Sequence, residues 1–130
     1  MEMTLDALGL IAADIQATKA FYERLGCTFD DGPVHFEAAL GSFRLMLDSE
    51  AFMRENGLLS GELGQRNAFA LAVQCDSAET VDATYAKLAA DGFGLTEPFD
   101  APWGQRYSTV HDPDGTHVDL YAWLPGHQPG

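Results

Sequence analysis

The chain has 130 residues, 46% of them hydrophobic, and its 20 acidic and 7 basic residues give a net charge of −13. This length and apolar content fit one domain with its own core. The negative charge repels phosphate backbones and so argues against nucleic-acid binding. It suits a cationic ligand, although a solubilising surface is the simpler explanation. No run approaches the roughly 18 apolar residues of a membrane span, and no signal-peptide pattern opens the chain, so we expect a cytoplasmic protein.

The first half predicts a strand, a helix, a short strand over residues 28–30 and a β-hairpin. Residues 5–13 are mostly apolar, as in a buried strand. Asp14 is placed to cap the following helix, and Gly26 to end it. Residues 35–48 predict a hairpin with its tip at 41–42.

That tip fixes which side chains of the first hairpin share a face. The apolar face would carry Phe36, Ala38, Leu40, Phe43, Leu45 and Leu47. The opposite face would carry His35, Glu37, Arg44, Met46 and Asp48. We therefore expect one face in the core and one polar face.

The second half repeats this plan. Residues 68–73 predict a strand, and Asp76 with Glu79 three residues later predicts a capped helix. Gly92 would end that helix, about one turn longer than the first, and residues 95–99 predict another strand. A C-terminal hairpin completes the repeat.

The repeat predicts an α+β fold of two βαβββ modules in tandem. The modules would span about 1–48 and 67–124 of a single domain, 1–130, joined by a linker over about 49–66 with a helical turn near 51–55. We expect their sheets to form a curved mixed sheet, a cup with helices on its convex face. The polar strand faces would then line the concave side.

The C-terminal hairpin would turn at Asp112-Pro113-Asp114-Gly115, a sequence typical of tight turns. Closing on 113–114 would place Val110 opposite His117, Ser108 opposite Asp119, and Arg106 opposite Tyr121. One face would carry Arg106, Ser108, His117, Asp119 and Tyr121, and the other Tyr107, Thr109, Val118 and Leu120. We expect the function on the first of these faces.

This plan and several segments resemble the vicinal oxygen chelate superfamily, which includes glyoxalases, bleomycin-resistance proteins and extradiol dioxygenases. The matching segments are residues 14–15, 20–26, 45–47, 102–104, 112–115 and 118–120. The sequence from Pro-Trp-Gly-Gln-Arg to Asp-Pro-Asp-Gly is most similar to the bleomycin-resistance branch. That resemblance implies a homodimer that binds a small molecule.

Metal-dependent members of the superfamily have a histidine early in each module and a glutamate in each last strand. The matching positions here hold Ala7, Phe69, Met46 and Asp119. Only Asp119 is a potential ligand, whereas divalent ions take four or more ligands. We therefore predict no metal and no cofactor, which puts glyoxalase, dioxygenase and thiol-transferase chemistry in doubt.

Two His-x-acid pairs remain candidates for chemistry. His35 with Glu37, and His117 with Asp119, would each lie on one strand face. They would serve acid–base catalysis or an unusual metal site, or would simply be solvated polar residues, which is the simplest interpretation.

The other candidates each have two interpretations. Trp103 is either a stacking platform for a planar or cationic ligand or a cover over the core. Arg106 either recognises a ligand or pairs with Asp119. Phe69 and Met46 would form either the floor of a pocket or part of the core, and Tyr121 would offer a hydroxyl and a ring.

The sequence thus predicts a metal-free protein that binds a small molecule, cationic or planar, in a cup-shaped pocket. The predicted ligand-binding residues are Trp103, Arg106, Asp119, Tyr121, Phe69, Met46, His35 and His117. The alternative is a metal-dependent lyase, isomerase or dioxygenase with displaced ligands such as His35, His117 and Asp119. A third possibility is a structural or regulatory protein that binds a partner through an open sheet face.

Overall fold

A computed structural model describes residues 2–30, 32–64 and 66–127. The chain divides into two compact units, Met1–Gly64 and Gln65–Gly130. Each unit contains its own sheet, with two helices in the first unit and one in the second among the described residues, which confirms the α+β class and the tandem repeat. None of the helices in the described ranges is long and apolar enough to cross a bilayer.

The first unit builds a three-stranded sheet. Its elements are β1 (Ala7–Ala12), α1 (Ile15–Glu23), β2 (His35–Leu40), β3 (Phe43–Ser49) and α2 (Glu50–Glu55). The strand order is β1-β3-β2, with β1 parallel and β2 antiparallel to β3. Phe29 adds an isolated antiparallel bridge to Ala38. The helical turn expected in the linker is the short helix α2.

Helix α1 begins where the sequence predicts. The Asp14 carboxylate accepts the backbone N–H groups of Gln16 and Ala17, both at 3.2 Å. These groups have no partner inside the helix, so the carboxylate satisfies two free donors. Gly26, with φ of +95°, lies just beyond the helix end, in a conformation that favours glycine.

The first hairpin has the predicted register. His35 lies opposite Asp48, and Leu40 lies opposite Phe43 at the tip. The core face buries Phe36, Ala38, Leu45 and Leu47, whereas the tip residues Leu40 and Phe43 are exposed. Strand β1 adds Leu10 and Ala12 to this core.

The second unit builds a four-stranded sheet with the same pairing. Its elements are β4 (Ala70–Gln74), α3 (Ala78–Ala90), β5 (Gly94–Ala101), β6 (Gln105–His111) and β7 (His117–Trp123). The order is β4-β7-β6-β5, with β4 parallel and β6 antiparallel to β7. Helix α3 packs on β5, β6 and β7 and has 13 residues against 9 in α1.

The predicted cap of α3 is one residue early. Ser77, not Asp76, is the N-cap, and its hydroxyl accepts the N–H of Thr80 at 3.1 Å. The Asp76 carboxylate instead accepts the Thr80 hydroxyl at 2.5 Å. A hydroxyl is as good an N-cap as a carboxylate, so the choice between adjacent Asp and Ser is not encoded in residue type.

The predicted register of the C-terminal hairpin is wrong by one residue. His111 lies opposite His117, Thr109 opposite Asp119, and Tyr107 opposite Tyr121. The connection is a loop of five residues, 112–116, and not a two-residue turn.

The buried Asp112 side chain is the physical reason for the longer loop. Its carboxylate accepts the N–H of Asp114 at 2.8 Å and of Thr116 at 2.9 Å. The Asp112 N–H also bonds the Thr116 carbonyl at 2.9 Å, which closes the loop. Folding the chain around a buried carboxylate takes more residues than a two-residue turn supplies.

A one-residue shift reverses the faces of a strand, and here it reverses β6. The core face now carries Ser108, Val110, Val118, Leu120 and Ala122, all buried. Arg106 lies on the same side of the sheet as Ser108, facing α3. The sequence predicts it on the opposite, open face. Tyr107 and Thr109, predicted to be buried, take the opposite side.

Candidate functional site

The open face of the second sheet gathers most of the polar and aromatic side chains of β6 and β7. We call it the second-sheet polar face; it carries Gln105, Tyr107, Thr109, His111, His117, Asp119, Tyr121 and Trp123. All eight are half-buried, whereas the residues of β7 that alternate with them are buried. Period-two alternation thus separates core from candidate site.

An aromatic cluster of Phe99, Trp103 and Tyr107 lies at one end of this face. The Trp103 and Tyr107 ring centroids are 5.3 Å apart, Phe99 and Tyr107 6.0 Å, and Phe99 and Trp103 6.5 Å. Each pair packs edge to face, an arrangement favoured by the ring quadrupoles.

Trp103 is fixed in position yet remains accessible. It stands on the turn between β5 and β6 with 54% of its surface exposed. Its indole N–H donates to the Gln105 side-chain oxygen at 2.7 Å. The next residue, Gly104, has φ of +95°, which allows the tight turn. An exposed indole that is held by its polar end can stack on a ligand without first being ordered.

Tyr107 links the aromatic cluster to a carboxylate. Tyr107 and Asp119 are diagonal neighbours on β6 and β7. Burial, followed by the interaction of its hydroxyl with the Asp119 carboxylate and the charge of Asp119, raises the pKa of Tyr107 to about 12. The phenol is therefore protonated at neutral pH, with a carboxylate as its neighbour across the strand pair.

Sequence reasoning missed Tyr107 and Phe99 as site residues. A two-residue turn at 113–114 places Tyr107 on the core face, whereas the observed five-residue loop places it on the open face. A usable signal was present, since Val110, Val118, Leu120 and Ala122 share one face only in the observed register.

Three other predicted residues lie in the second unit. The Tyr121 hydroxyl points to the Gln74 side-chain oxygen at 3.5 Å, and its ring packs 6.1 Å from Trp123. His117 lies on β7 opposite His111. Phe69 precedes β4 and is exposed, so it is not part of the core.

Arg106 is engaged on the helix side of the sheet. Its guanidinium donates to the Asp82 carboxylate of α3 at 2.9 and 3.2 Å and to Asp100 of β5 at 3.2 Å. The prediction that Arg106 lies beside Asp119 and Tyr121 on the open face is therefore wrong. Arg106 ties α3 to the sheet, and we leave it out of the binding site.

The polar face of the first sheet carries a chain of charged groups that we call the ion network: Asp6, Arg44, Glu37, His35 and Asp48. His35 contacts Asp48 through Nδ1 at 2.6 Å and Glu37 through Nε2 at 2.8 Å. Arg44 donates to Glu37 and to Asp6, the latter at 2.5 and 3.2 Å. The structure thus brings together His35 and Glu37, as the sequence predicts.

These contacts shift the pKa values of His35, Glu37 and Arg44, the last of which is raised by its hydrogen bonds to Asp6 and then Glu37. Hydrogen bonds to Asp48 and then Glu37 raise the pKa of His35 above its usual range. Hydrogen bonds from His35 and then Arg44 lower the pKa of Glu37. Met46 lies on the same face, half-buried, with its methyl group 3.5 Å from where a Cβ on Gly9 would stand.

The comparison with family models is decisive. Residues 4–120 match the model described as the Glyoxalase/Bleomycin resistance protein/Dioxygenase superfamily. The chain belongs to this superfamily. Comparison with curated protein sequences gives no match.

Solved structures of the superfamily share the fold. A glyoxalase/bleomycin resistance protein/dioxygenase from Nocardioides is 28% identical, with a TM-score of 0.72 over 100% of this chain and 89% of that one. A glyoxalase-related enzyme from Fulvimarina pelagi is 21% identical, with a TM-score of 0.79 over 93% and 88%. A lactoylglutathione lyase from Agrobacterium tumefaciens is 19% identical, with a TM-score of 0.65 over 93% and 94%.

The residues at the superfamily's metal positions do not fit a metal ion. Ala7 and Phe69 have no ligand atom, Met46 offers only a thioether, and Asp119 offers a single carboxylate. Across residues 2–30, 32–64 and 66–127, no group of three His, Cys, Asp or Glu side chains is arranged to hold one. A hard divalent cation needs several oxygen ligands, and a single carboxylate does not supply them.

Proposed function

We propose that this protein binds a small planar organic cation on the second-sheet polar face, without a resident metal. The observation that carries the proposal is the exposed Trp103 packed against Tyr107, which has the Asp119 carboxylate as its diagonal neighbour. The side chain of Tyr107 thus has the flat indole of Trp103 and the negative charge of Asp119 as neighbours.

The chemistry of these groups selects for a cation with a ring. A cation over an indole gains about 0.5–1 kcal/mol at exposed sites and about 2 kcal/mol when desolvated. The Asp119 carboxylate adds a charge that a neutral ring cannot use. The net charge of −13 raises the local concentration of cations and disfavours anions.

Calorimetry with N-methylquinolinium tests the proposal, and neutral quinoline at mildly alkaline pH, which has the same ring system without the N-methyl group and its charge, is the control. We expect the cation to bind about tenfold more tightly than the neutral ring, a difference of about 1.4 kcal/mol. Trp103→Leu should weaken both ligands, because both stack. Asp119→Asn should weaken the cation and leave quinoline unchanged.

A fluorescence titration locates the site. Trp123→Phe leaves Trp103 as the one indole, and its emission should be quenched as the cation binds. Phe52→Leu replaces an exposed aromatic in the first unit and should change nothing. Equal affinity for cation and neutral ring, or full binding by Trp103→Leu, would refute the proposal.

We also propose that the protein is a homodimer, an assembly that its resemblance to the bleomycin-resistance branch implies. Light scattering coupled to gel filtration should then give twice the 14.1 kDa of one chain. A mass of one chain at micromolar concentration would refute the dimer and leave the binding proposal standing.

A further inference from the structure

The His35 ring lies between two carboxylates, one on each nitrogen. Nδ1 is 2.6 Å from an Asp48 oxygen, and Nε2 is 2.8 Å from a Glu37 oxygen. A neutral imidazole has a single N–H, so the lone pair of its other nitrogen would face a lone pair of a carboxylate oxygen. Only the imidazolium, with two N–H groups, donates to both, and the observed arrangement is therefore that of the protonated ring.

The two carboxylates differ in whether they have a hydrogen-bond donor other than His35. Glu37 also accepts from Arg44, which in turn reaches Asp6. Asp48 has no side-chain partner other than His35 among the residues the structure describes, and its side chain is 18% exposed against 32% for Glu37. Leaving the more buried, singly bonded carboxylate without a donor costs more than releasing Glu37 to Arg44.

Among the described residues of the first unit, few other charged side chains lie near His35. Asp30 bonds the backbone N–H of Glu37 at 2.8 Å, and β1 contributes only Ala7, Gly9 and Ile11 to this face. Lys19 of α1 lies on the opposite side of the sheet, 4.8 Å from the ring centre of Phe36. Asp48, Glu37, Arg44 and Asp6 therefore dominate the electrostatics at the ring.

We propose that His35 is a proton-operated latch: its imidazolium holds Asp48 and Glu37 together, and loss of the Nε2 proton frees Glu37 while Nδ1–H stays bonded to Asp48. The proton leaves to solvent, which reaches 38% of the His35 side chain. Glu37 then pairs with Arg44 alone. No bond other than N–H is broken.

The latch changes both the charge and the chemistry of this face. In the closed state the ion network has two positive and three negative groups, a net charge of −1; in the open state the net charge is −2. The open state also presents a basic Nε2 lone pair, oriented by Asp48 at the other nitrogen. The face thus gains a proton acceptor only above the titration midpoint.

Nitrogen-15 NMR of the imidazole across a pH titration tests the latch in the intact protein. The midpoint for His35 should lie above the ordinary histidine value of about 6.5. The neutral form should carry its proton on Nδ1, which the two nitrogen shifts distinguish. In the same titration the Glu37 carboxyl carbon should shift more than that of Asp48, a readout that needs no variant.

Matched variants assign the partners. Asp48→Asn should lower the His35 midpoint most, Glu37→Gln should lower it less, and Glu37→Gln should keep the Nδ1–H tautomer. His117→Gln, on the last strand of the other unit, should leave the His35 titration unchanged. A neutral form protonated on Nε2, a midpoint at or below about 6.5, or a larger shift at Asp48 than at Glu37 would overturn the latch.

Discussion

Replacing Asp112 should cost more stability than its place in a surface turn suggests. Asp112 is 1% exposed, and its carboxylate accepts the N–H groups of Asp114 and Thr116. Thr116 is fully buried, so water cannot replace the lost acceptor there. A hydrogen bond to a charged group contributes about 1.5–3 kcal/mol, and a buried donor left unpaired costs about 1–3 kcal/mol.

We therefore expect Asp112→Ala to lower the free energy of unfolding by about 3 kcal/mol. Asp112→Asn keeps an oxygen at the accepting position and should cost about 1 kcal/mol. Urea unfolding followed by tryptophan fluorescence measures both, because Trp103 and Trp123 lie in the same unit as the loop.

Asp14→Ala is the matched control. Asp14 also accepts two backbone N–H groups, but it is exposed, so its removal should cost only about 1 kcal/mol. If Asp112→Ala cost no more than Asp14→Ala, burial would not set the strength of these bonds. If Asp112→Asn lowered the free energy of unfolding as much as Asp112→Ala, loss of the accepting oxygen would not be the cause of the destabilisation.

Three further substitutions probe the core and the ion network. Ser108→Ala should raise the free energy of unfolding by about 1 kcal/mol in urea titrations, since the buried Ser108 hydroxyl has no hydrogen-bond partner among the described residues. Gly94→Ala should lower it by about 1–3 kcal/mol, because the new Cβ would lie 2.9 Å from the Ala89 Cβ on α3, which cannot rotate away. His35→Gln should destabilise the protein most below about pH 6.5, by less than about 1 kcal/mol because the side chain is partly exposed. The pKa of His35 is raised in the folded state, so its stabilising contribution is complete below the unfolded-state pKa and is lost as the pH rises through the folded-state pKa.

Each of these expectations has a clear contrary result. Destabilisation by Ser108→Ala would show that the hydroxyl is bonded in solution. An unchanged unfolding midpoint for Gly94→Ala would show that α3 can move away from β5 at no cost. An effect of His35→Gln that grows towards alkaline pH would reverse the sign of the linkage.

The two hairpins show what the sequence does and does not determine. In the first, the two-residue tip at Gly41 and Ser42 sets the register, and every predicted pair is confirmed. In the second, the same reasoning fails because Asp112 turns its side chain inward, and residue type does not reveal that burial. The error removed Tyr107 from the predicted site and added Arg106.

The ion network was predictable only in part. Alternation along β2 and β3 correctly places His35, Glu37 and Asp48 on one face. That both ring nitrogens meet carboxylates depends on side-chain rotamers and on a 2.6 Å approach, which periodicity does not specify. The roles of the predicted ligand-binding residues stay predictions until binding is measured.

The two halves of the proposed binding site are anchored very differently. Asp119 belongs to β7, which has a partner strand on both sides, so moving it would require re-pairing the whole sheet. Trp103 stands on a turn, where substitutions and length changes leave the ladder intact. Insertions and deletions at the turn can therefore displace the indole of the proposed site, whereas the position of the carboxylate is fixed by the strand pairing.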